Sequence, residues 1–253
     1  MKQVVARVTS NSKITSSFYQ IWLEAPAIVA EAKPGQFVMV RCGRDTALPR
    51  PLSIHRVDGS SLALLFTVVG SGTAWLSQRK ASDNINLFGP LGNGFSISPT
   101  SHNLLLVGGG IGIAPLYFLA KEGINKGQLV TMIYGAQSEN QLYTEQNLAV
   151  GAKLIAATYD GSVGYHGLVT ELITEHAKQA NQIFACGPMP MYKTMAQMAE
   201  LKSKSVQVSL EIMMGCGRGV CYGCTIKTKQ GLQEVCQDGP VFNLDDILWD
   251  ELT

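Results

Sequence analysis

An antiparallel β-barrel, a parallel-sheet α/β domain and a small cysteine module, in that order, are what this sequence predicts. Three observations carry the prediction. Short β-like runs separated by turn residues fill residues 1–98; apolar strands alternate with helical stretches over 99–208; and four of the six cysteines crowd into 209–253. A chain of 253 residues has room for two ordinary domains and one stapled module.

The first unit contains V-V-A-R-V, F-Y-Q-I-W-L, Q-F-V-M-V, L-S-I-H-R-V, L-A-L-L-F-T-V-V and N-I-N-L-F, with Pro34-Gly35 and Asp58-Gly59 among the turns. Runs of this length and punctuation predict an antiparallel barrel or sandwich, interrupted by one helix over Thr73 to Arg79. Two motifs inside it have chemical potential. In Arg50-Pro51-Leu52-Ser53, the guanidinium suits bidentate contact with a phosphate, and the hydroxyl suits the edge of a flat heterocycle. Gly70-Ser71-Gly72-Thr73 is a glycine turn feeding a helix start, a natural phosphate seat. Taken singly, the first is more often a strand entrance and the second a turn with Thr73 as N-cap.

In the second unit L-L-L-V runs into Gly108-Gly109-Gly110-Ile111-Gly112-Ile113-Ala114-Pro115 and an apolar helix through Ala120. Strand–helix pairs follow: V-T-M-I-Y-G with Glu139 to Leu148, K-L-I-A-A-T with His166 to His176, and Q-I-F-A-C-G with Pro188 to Leu201. This alternation predicts a parallel sheet with helices on both faces and ligands at the carboxyl ends of the strands. The glycine turn lacks the third glycine of G-x-G-x-x-G, yet a pyrophosphate can still sit at the helix start. Cys186-Gly187-Pro188-Met189 ends a strand at the same rim. Cys186 is a candidate to face the ligand, against the commoner reading of an inert buried thiol. The methionines at 189, 195 and 198 and Tyr192 lie at helical spacing and read as core. The four histidines show no ligand spacing, and no hydrolase arrangement is present.

Cys216, Cys221, Cys224 and Cys236 are spaced C-x4-C-x2-C-x11-C, the plant-ferredoxin pattern for a [2Fe-2S] cluster. Gly215, Gly217, Gly219 and Gly223 give the loop freedom to curl around it. Zinc or two disulfides are the competing readings, but zinc ribbons show two separated C-x2-C knuckles, and here three cysteines fall within nine residues.

Twenty basic and nineteen acidic residues leave a net charge of +1, so no polyanion-binding surface is expected and nucleic acid is excluded as a partner class. The start, Met1-Lys2-Gln3, leads into a strand rather than an apolar signal region. Ile111 to Ala120 is too short to span a bilayer. A cytoplasmic location follows as an expectation, since the thiolates are held by a cluster and not bridged.

R-P-L-S and G-S-G-T in an all-β unit, then G-G-G-I-G-I-A-P-L and C-G-P-M, make the chain resemble the ferredoxin-NADP reductase superfamily. S-L-E at Ser209 to Glu211, M-G-C-G-R-G-V-C-Y-G-C, and V-C-Q-D-G-P-V-F make it similar, over essentially its whole length, to electron-transfer subunits of class B dihydroorotate dehydrogenases. The resemblance implies FAD at Arg50, Pro51, Leu52 and Ser53, completed by Leu65, Phe66, Thr67, Gly72 and Thr73. It implies NAD at Gly108, Gly109, Gly110, Ile111, Gly112 and Ile113 with Cys186 and Gly187, and a [2Fe-2S] cluster on the four cysteines. It further implies an FMN-containing catalytic subunit as partner, in a heterotetramer of two plus two, with electrons passing from dihydroorotate to NAD+. Gln237 departs from the basic residue expected after Cys236. Gly135-Ala136-Gln137-Ser138-Glu139 offers no arginine to a 2′-phosphate, which favours NAD over NADP.

Overall fold

The computed structural model describes residues 1–43, 48–143 and 151–252. Six strands, β1 (Lys2–Lys13), β2 (Phe18–Glu24), β3 (Phe37–Val40), β4 (Arg50–Asp58), β5 (Ser61–Thr67) and β6 (Asn84–Leu91), close into a barrel in the order β1-β2-β5-β4-β3-β6. Every pairing in it is antiparallel. Alternation explains the closure: Ala6 and Val8 point inward from β1, Ile21 and Leu23 from β2, and Ile85 and Leu87 from β6. Each buried aliphatic side chain of this kind contributes about 1.5–3 kcal/mol. A short helix α1 (Pro26–Val29), which no pattern in the sequence marks, lies between β2 and β3, and α2 (Ser71–Ser77) follows β5. The latter begins two residues earlier than expected. Thr73 is inside it and reaches back, its Oγ1 accepting from the Val69 and Gly70 amides at 2.9 and 3.3 Å.

The second layer is built from β7 (Asn103–Gly109), α3 (Ile113–Asn125), β8 (Leu129–Ala136), β9 (Lys153–Thr158), β10 (Tyr165–His166), α4 (Val169–Ala177), β11 (Gln182–Cys186), α5 (Met189–Gln197) and β12 (Ser205–Ser209). The C-terminal segment adds β13 (Thr225–Thr228) and β14 (Gly231–Glu234), a hairpin, and β15 (Val241–Asn243). The large sheet runs β10-β9-β8-β7-β11-β12-β15, parallel except for the last strand, which pairs antiparallel with β12. Chain order reverses between β7 and β11. That is the topological switch point, where open α/β sheets bind ligands, and there Gly108 lies opposite Cys186.

Two expected helices are shorter than the sequence suggests. β10 takes Tyr165 and His166, so α4 starts only at Val169; α5 stops at Gln197 and a 3-10 turn covers Ala199–Leu201. The helix expected over Glu139 to Leu148 shows a 3-10 turn at Glu139–Gln141, and its remainder from 144 lies outside the described residues.

The first eight residues of helix α3 are apolar on every side because they are covered on every side. Ile113 through Ala120 are all buried, between β4 of the barrel and strands β7, β8 and β11 of the sheet. The seam is pinned by His55 of β4, which is 0% exposed, with Nδ1 2.8 Å from the Ala114 carbonyl and Nε2 3.0 Å from the Tyr143 hydroxyl. Burial lowers the His55 pKa to about 3, the Ala114 carbonyl opposing this and Arg56 adding to it. The ring is therefore neutral near pH 7: Nδ1–H donates to the carbonyl and Nε2 accepts from the tyrosine. Below pH 6.5 the unfolded chain binds a proton that the folded chain refuses. Stability is thus fully present above pH 6.5 and falls by about 1.4 kcal/mol per pH unit as pH drops from there toward 3. Denaturant unfolding between pH 7 and 4 should show this slope, and His55→Gln should flatten it by one proton.

Candidate active site: two clefts and a cysteine loop

Two clefts open between the layers. The smaller, about 220 Å3, is walled by Arg50, Pro51, Leu52 and Ser53 of β4, by Leu65, Phe66 and Thr67 of β5, by Thr73, and by Leu210, Glu211, Ile212 and Met214. The structure thus brings together all the residues expected at the flavin, except that Gly72 lies just behind the wall. A Cβ on Gly72 would come within 2.9 Å of Arg50 Nε. Its bare backbone is what lets the guanidinium lie across the turn, where Nη1 also donates to the Leu48 carbonyl at 2.9 Å. An apolar floor with one guanidinium at its end fits a flat ring system carrying a phosphate.

The larger cleft, about 560 Å3, spans the switch point. Gly109 to Gly112, Gly135 to Gln137, Gly187, Pro188 and Tyr159 line it. The glycines differ in purpose. Gly110 has φ +55 and open space beside it, and its carbonyl accepts from the Tyr134 hydroxyl at 3.0 Å. Gly112 packs backbone on backbone: a Cβ there would overlap the carbonyl of Cys186 and stand 2.7 Å from the Gly187 amide nitrogen. Gly108 is set against the Tyr134 ring and does not line the cleft. The result is a groove of exposed peptide groups at a helix start, which fits a dinucleotide.

Cys186 sits one layer behind that groove, 0% exposed, and burial raises its thiol well above the ordinary range. Its Sγ is 4.0 Å from Glu211 Oε1. Tyr192, whose spacing reads as core, is buried but also functional in shape: its hydroxyl donates to the Ser209 carbonyl at 2.6 Å and accepts from the Gly187 amide at 2.8 Å. These bonds tie the cleft rim to the end of β12. The S-L-E motif is visible in the sequence, but nothing there gives Glu211 a role. In the structure Glu211 lines both clefts.

The cysteine loop starts where that wall ends. Residues 209–212 and 214 line the smaller cleft, and the chain then enters Gly215 and Cys216. Cys216 and Cys221 lie within hydrogen-bonding range of each other, as do Cys224 and Cys236. No disulfide joins any described cysteine, and no three potential ligands among the described residues converge as a single metal ion requires. Two thiol pairs in one loop fit a [2Fe-2S] cluster, which these four cysteines would hold. Backbone amides point at the sulfurs, Arg218 N–H to Cys216 at 3.3 Å and Gly219 N–H to Cys236 at 3.2 Å. Burial pushes the Cys216 thiol up, but amides of Val220 and Arg218 outweigh it and bring the pKa to about 7; burial and the Cys224 thiol push Cys236 up to about 12.

Of the four loop glycines, Gly217 and Gly219 have positive φ, +66 and +70. Gly215 and Gly223 instead flank the Cys221 sulfur, and the third left-handed residue is Tyr222, at φ +56. Arg218 stacks on Phe88 of the barrel, its guanidinium carbon 4.1 Å from the ring centre. Gln237 covers Gly219 and donates to the Arg218 carbonyl at 3.2 Å, so it clamps the loop.

A barrel and a switch-point sheet whose clefts meet, with a four-cysteine loop continuing their shared wall, define a pyridine-nucleotide oxidoreductase of ferredoxin-reductase fold. A solved chain of an NADH-dependent reduced ferredoxin-NADP oxidoreductase has this fold, with 30% identity and a TM-score of 0.89 over 98% of this chain and 91% of that one. A ferredoxin reductase of carbazole 1,9a-dioxygenase shares it at 19% identity and TM-score 0.70, over 82% and 68%. Residues 211–248 match the iron-sulfur cluster binding domain of dihydroorotate dehydrogenase B, and residues 106–197 match an oxidoreductase NAD-binding domain. Electron transfer subunits of dihydroorotate dehydrogenase B (NAD(+)) from Geobacillus sp. strain WCH70 and Desulforamulus reducens are 38% and 39% identical. The alignments cover 98% and 97% of this chain and 99% and 98% of theirs. The chain belongs to this family of dihydroorotate dehydrogenase B electron transfer subunits.

Proposed function

We propose that this chain takes electrons from an FMN-containing subunit that oxidises dihydroorotate and delivers them to NAD+, serving pyrimidine biosynthesis. The observation that carries the reading is the segment leading from Ser209 to Met214: it walls the smaller cleft, touches the larger one through Glu211, and ends at the first cysteine of the loop. When bound, a [2Fe-2S] cluster supplies single-electron relay and FAD supplies exchange between one- and two-electron chemistry. Cys216, Cys221, Cys224 and Cys236 hold the cluster, and the amides of Arg218 and Gly219 offset charge on its sulfurs. Arg50 binds the FAD pyrophosphate, with Ser53 and Thr67 beside the ring. Gly109 to Gly112 and Gly187 bind NAD, and Cys186 backs that site through the contact of its carbonyl with Gly112. The barrel at 1–98, the dinucleotide domain at 99–208 and the cluster module at 209–253 are the functional units.

The partner arrangement is two catalytic and two electron-transfer subunits, in the cytoplasm. Among the described residues no helix is long and apolar enough to cross a membrane.

The complex, purified anaerobically, should reduce NAD+ with dihydroorotate, while the lone chain should oxidise NADH with an artificial acceptor and show no dihydroorotate activity. A flavin-loaded chain active with NADH, whose native complex lacks dihydroorotate activity, would transfer it to another redox partner.

Two residue-level expectations belong to this reading. Arg50→Ala removes a charge-assisted contact and should weaken FAD binding about tenfold to hundredfold, measured by flavin fluorescence on titrating the apoprotein. Among the described residues nothing basic lines the larger cleft, and Glu139 and Asp160 follow the ends of β8 and β9, just outside its lining. Ser162 accepts from the Glu139 amide at 2.8 Å and donates to Asp160, whose carboxyl this holds below its ordinary pKa. NADH should exceed NADPH in kcat/KM by more than about tenfold.

A further inference from the structure

Thr67, Ile111 and Glu211 are the residues common to the linings of both clefts, so they mark where the two occupants meet. Glu211 is the ionisable one. It is also the one charged side chain in the lining of the larger cleft, among the described residues. Its placement is chemically pointed. A dinucleotide is an anion along its phosphates, yet its nicotinamide ring is a cation when oxidised and neutral when reduced. An acid at the phosphate end would repel the ligand in either state, whereas an acid at the flavin end meets only the ring.

We infer that Glu211 selects the oxidation state of the nicotinamide, its carboxylate favouring the cationic ring of NAD+ over the neutral ring of NADH. The inference rests on the dinucleotide reading of the larger cleft. Several features fit the role. Glu211 is exposed along the open cleft mouth, and no cation pairs with it among the described ion pairs. The Cys186 thiol, 4.0 Å from Oε1, is neutral and buried, and so leaves the carboxylate charge uncompensated. One face of Glu211 is open to the cleft, while the protein packed around the rest of the carboxyl raises it above its ordinary value. A cationic ring supplies the missing counter-charge, and a neutral ring does not. For electron flow toward NAD+, the cleft then holds its substrate more tightly than its product, which speeds turnover when release limits the rate.

The test is equilibrium binding to the full chain loaded with FAD, titrated with NAD+, with NADH in its redox-inert 1,4,5,6-tetrahydro form and with ADP-ribose, for wild type, Glu211→Gln and Glu211→Asp. Glu211→Gln should weaken NAD+ by about tenfold relative to NADH, with ADP-ribose unchanged and Glu211→Asp intermediate. An unchanged NAD+ to NADH ratio overturns the inference, as does equal weakening of all three ligands, which marks a purely structural role. Wild-type protein that binds FAD but neither nucleotide overturns the dinucleotide reading itself, and the inference with it.

Discussion

Cys221→Ser is expected to leave a folded, flavin-loaded chain that has lost its iron and acid-labile sulfide. Cys221 is the exposed member of the four, with its sulfur over Gly215 and Gly223, whereas Cys224 and Cys236 are 2% and 3% exposed and belong to the continuous core beneath the loop. A serine at 221 therefore tests ligation with little disturbance to packing, which a change at 224 or 236 would confound. NADH oxidation by an artificial acceptor needs only the two clefts and should persist. Dihydroorotate-dependent NAD+ reduction by the complex should fall by more than about a hundredfold, since losing a residue that merely supports a metal ligand already reaches that size. Iron per flavin, measured on the purified variant, is the deciding number: an unchanged value would remove Cys221 from the ligand set.

The same loop shows how far sequence can be read. The cysteine spacing is legible because a cluster needs its thiols within a few residues of one another, and a local requirement leaves a local signature. The six barrel strands are legible for a similar reason: a half-buried strand must alternate, and a tight turn must be glycine- or proline-rich. Glu211 leaves no such trace. What makes it special is its meeting with Thr67 and Ile111, which lie far back in the chain, and only the closing of the barrel against the sheet brings the three together. Strand β15 is likewise hidden, because three residues carry no periodicity and their partner is β12. Sequence overextends α4 and α5 because their apolar spacing continues past the point where Gly167, at φ +147, and Met198, in an extended conformation, break the backbone. Spacing assigns Tyr192 to the core correctly, but it cannot reveal that the hydroxyl bridges Gly187 and Ser209.

Gly112→Ala should be the most damaging single methyl group in the nucleotide site, and comparison with Gly110→Ala explains why. Sequence makes the two positions look alike, each a glycine in one turn. Gly110 has φ +55 and nothing within 4 Å of an added Cβ, so alanine there costs about 1 kcal/mol of backbone strain. Gly112 has φ −59, which alanine adopts freely, but its Cβ would overlap the Cys186 carbonyl. Backbone cannot swing aside as a side chain can. The start of α3 must then move off β11, disturbing the seam that also carries His55 and Ala114, at about 3 kcal/mol. For a chain of this size the melting temperature should drop by roughly 6–12 °C, and NADH binding should be lost with it. Gly110→Ala should melt within a few degrees of wild type while still weakening NADH, because its methyl group enters the groove. Calorimetry and NADH titration on the two variants separate the roles, and a Gly112→Ala protein with wild-type melting would show that helix and strand are not in backbone contact.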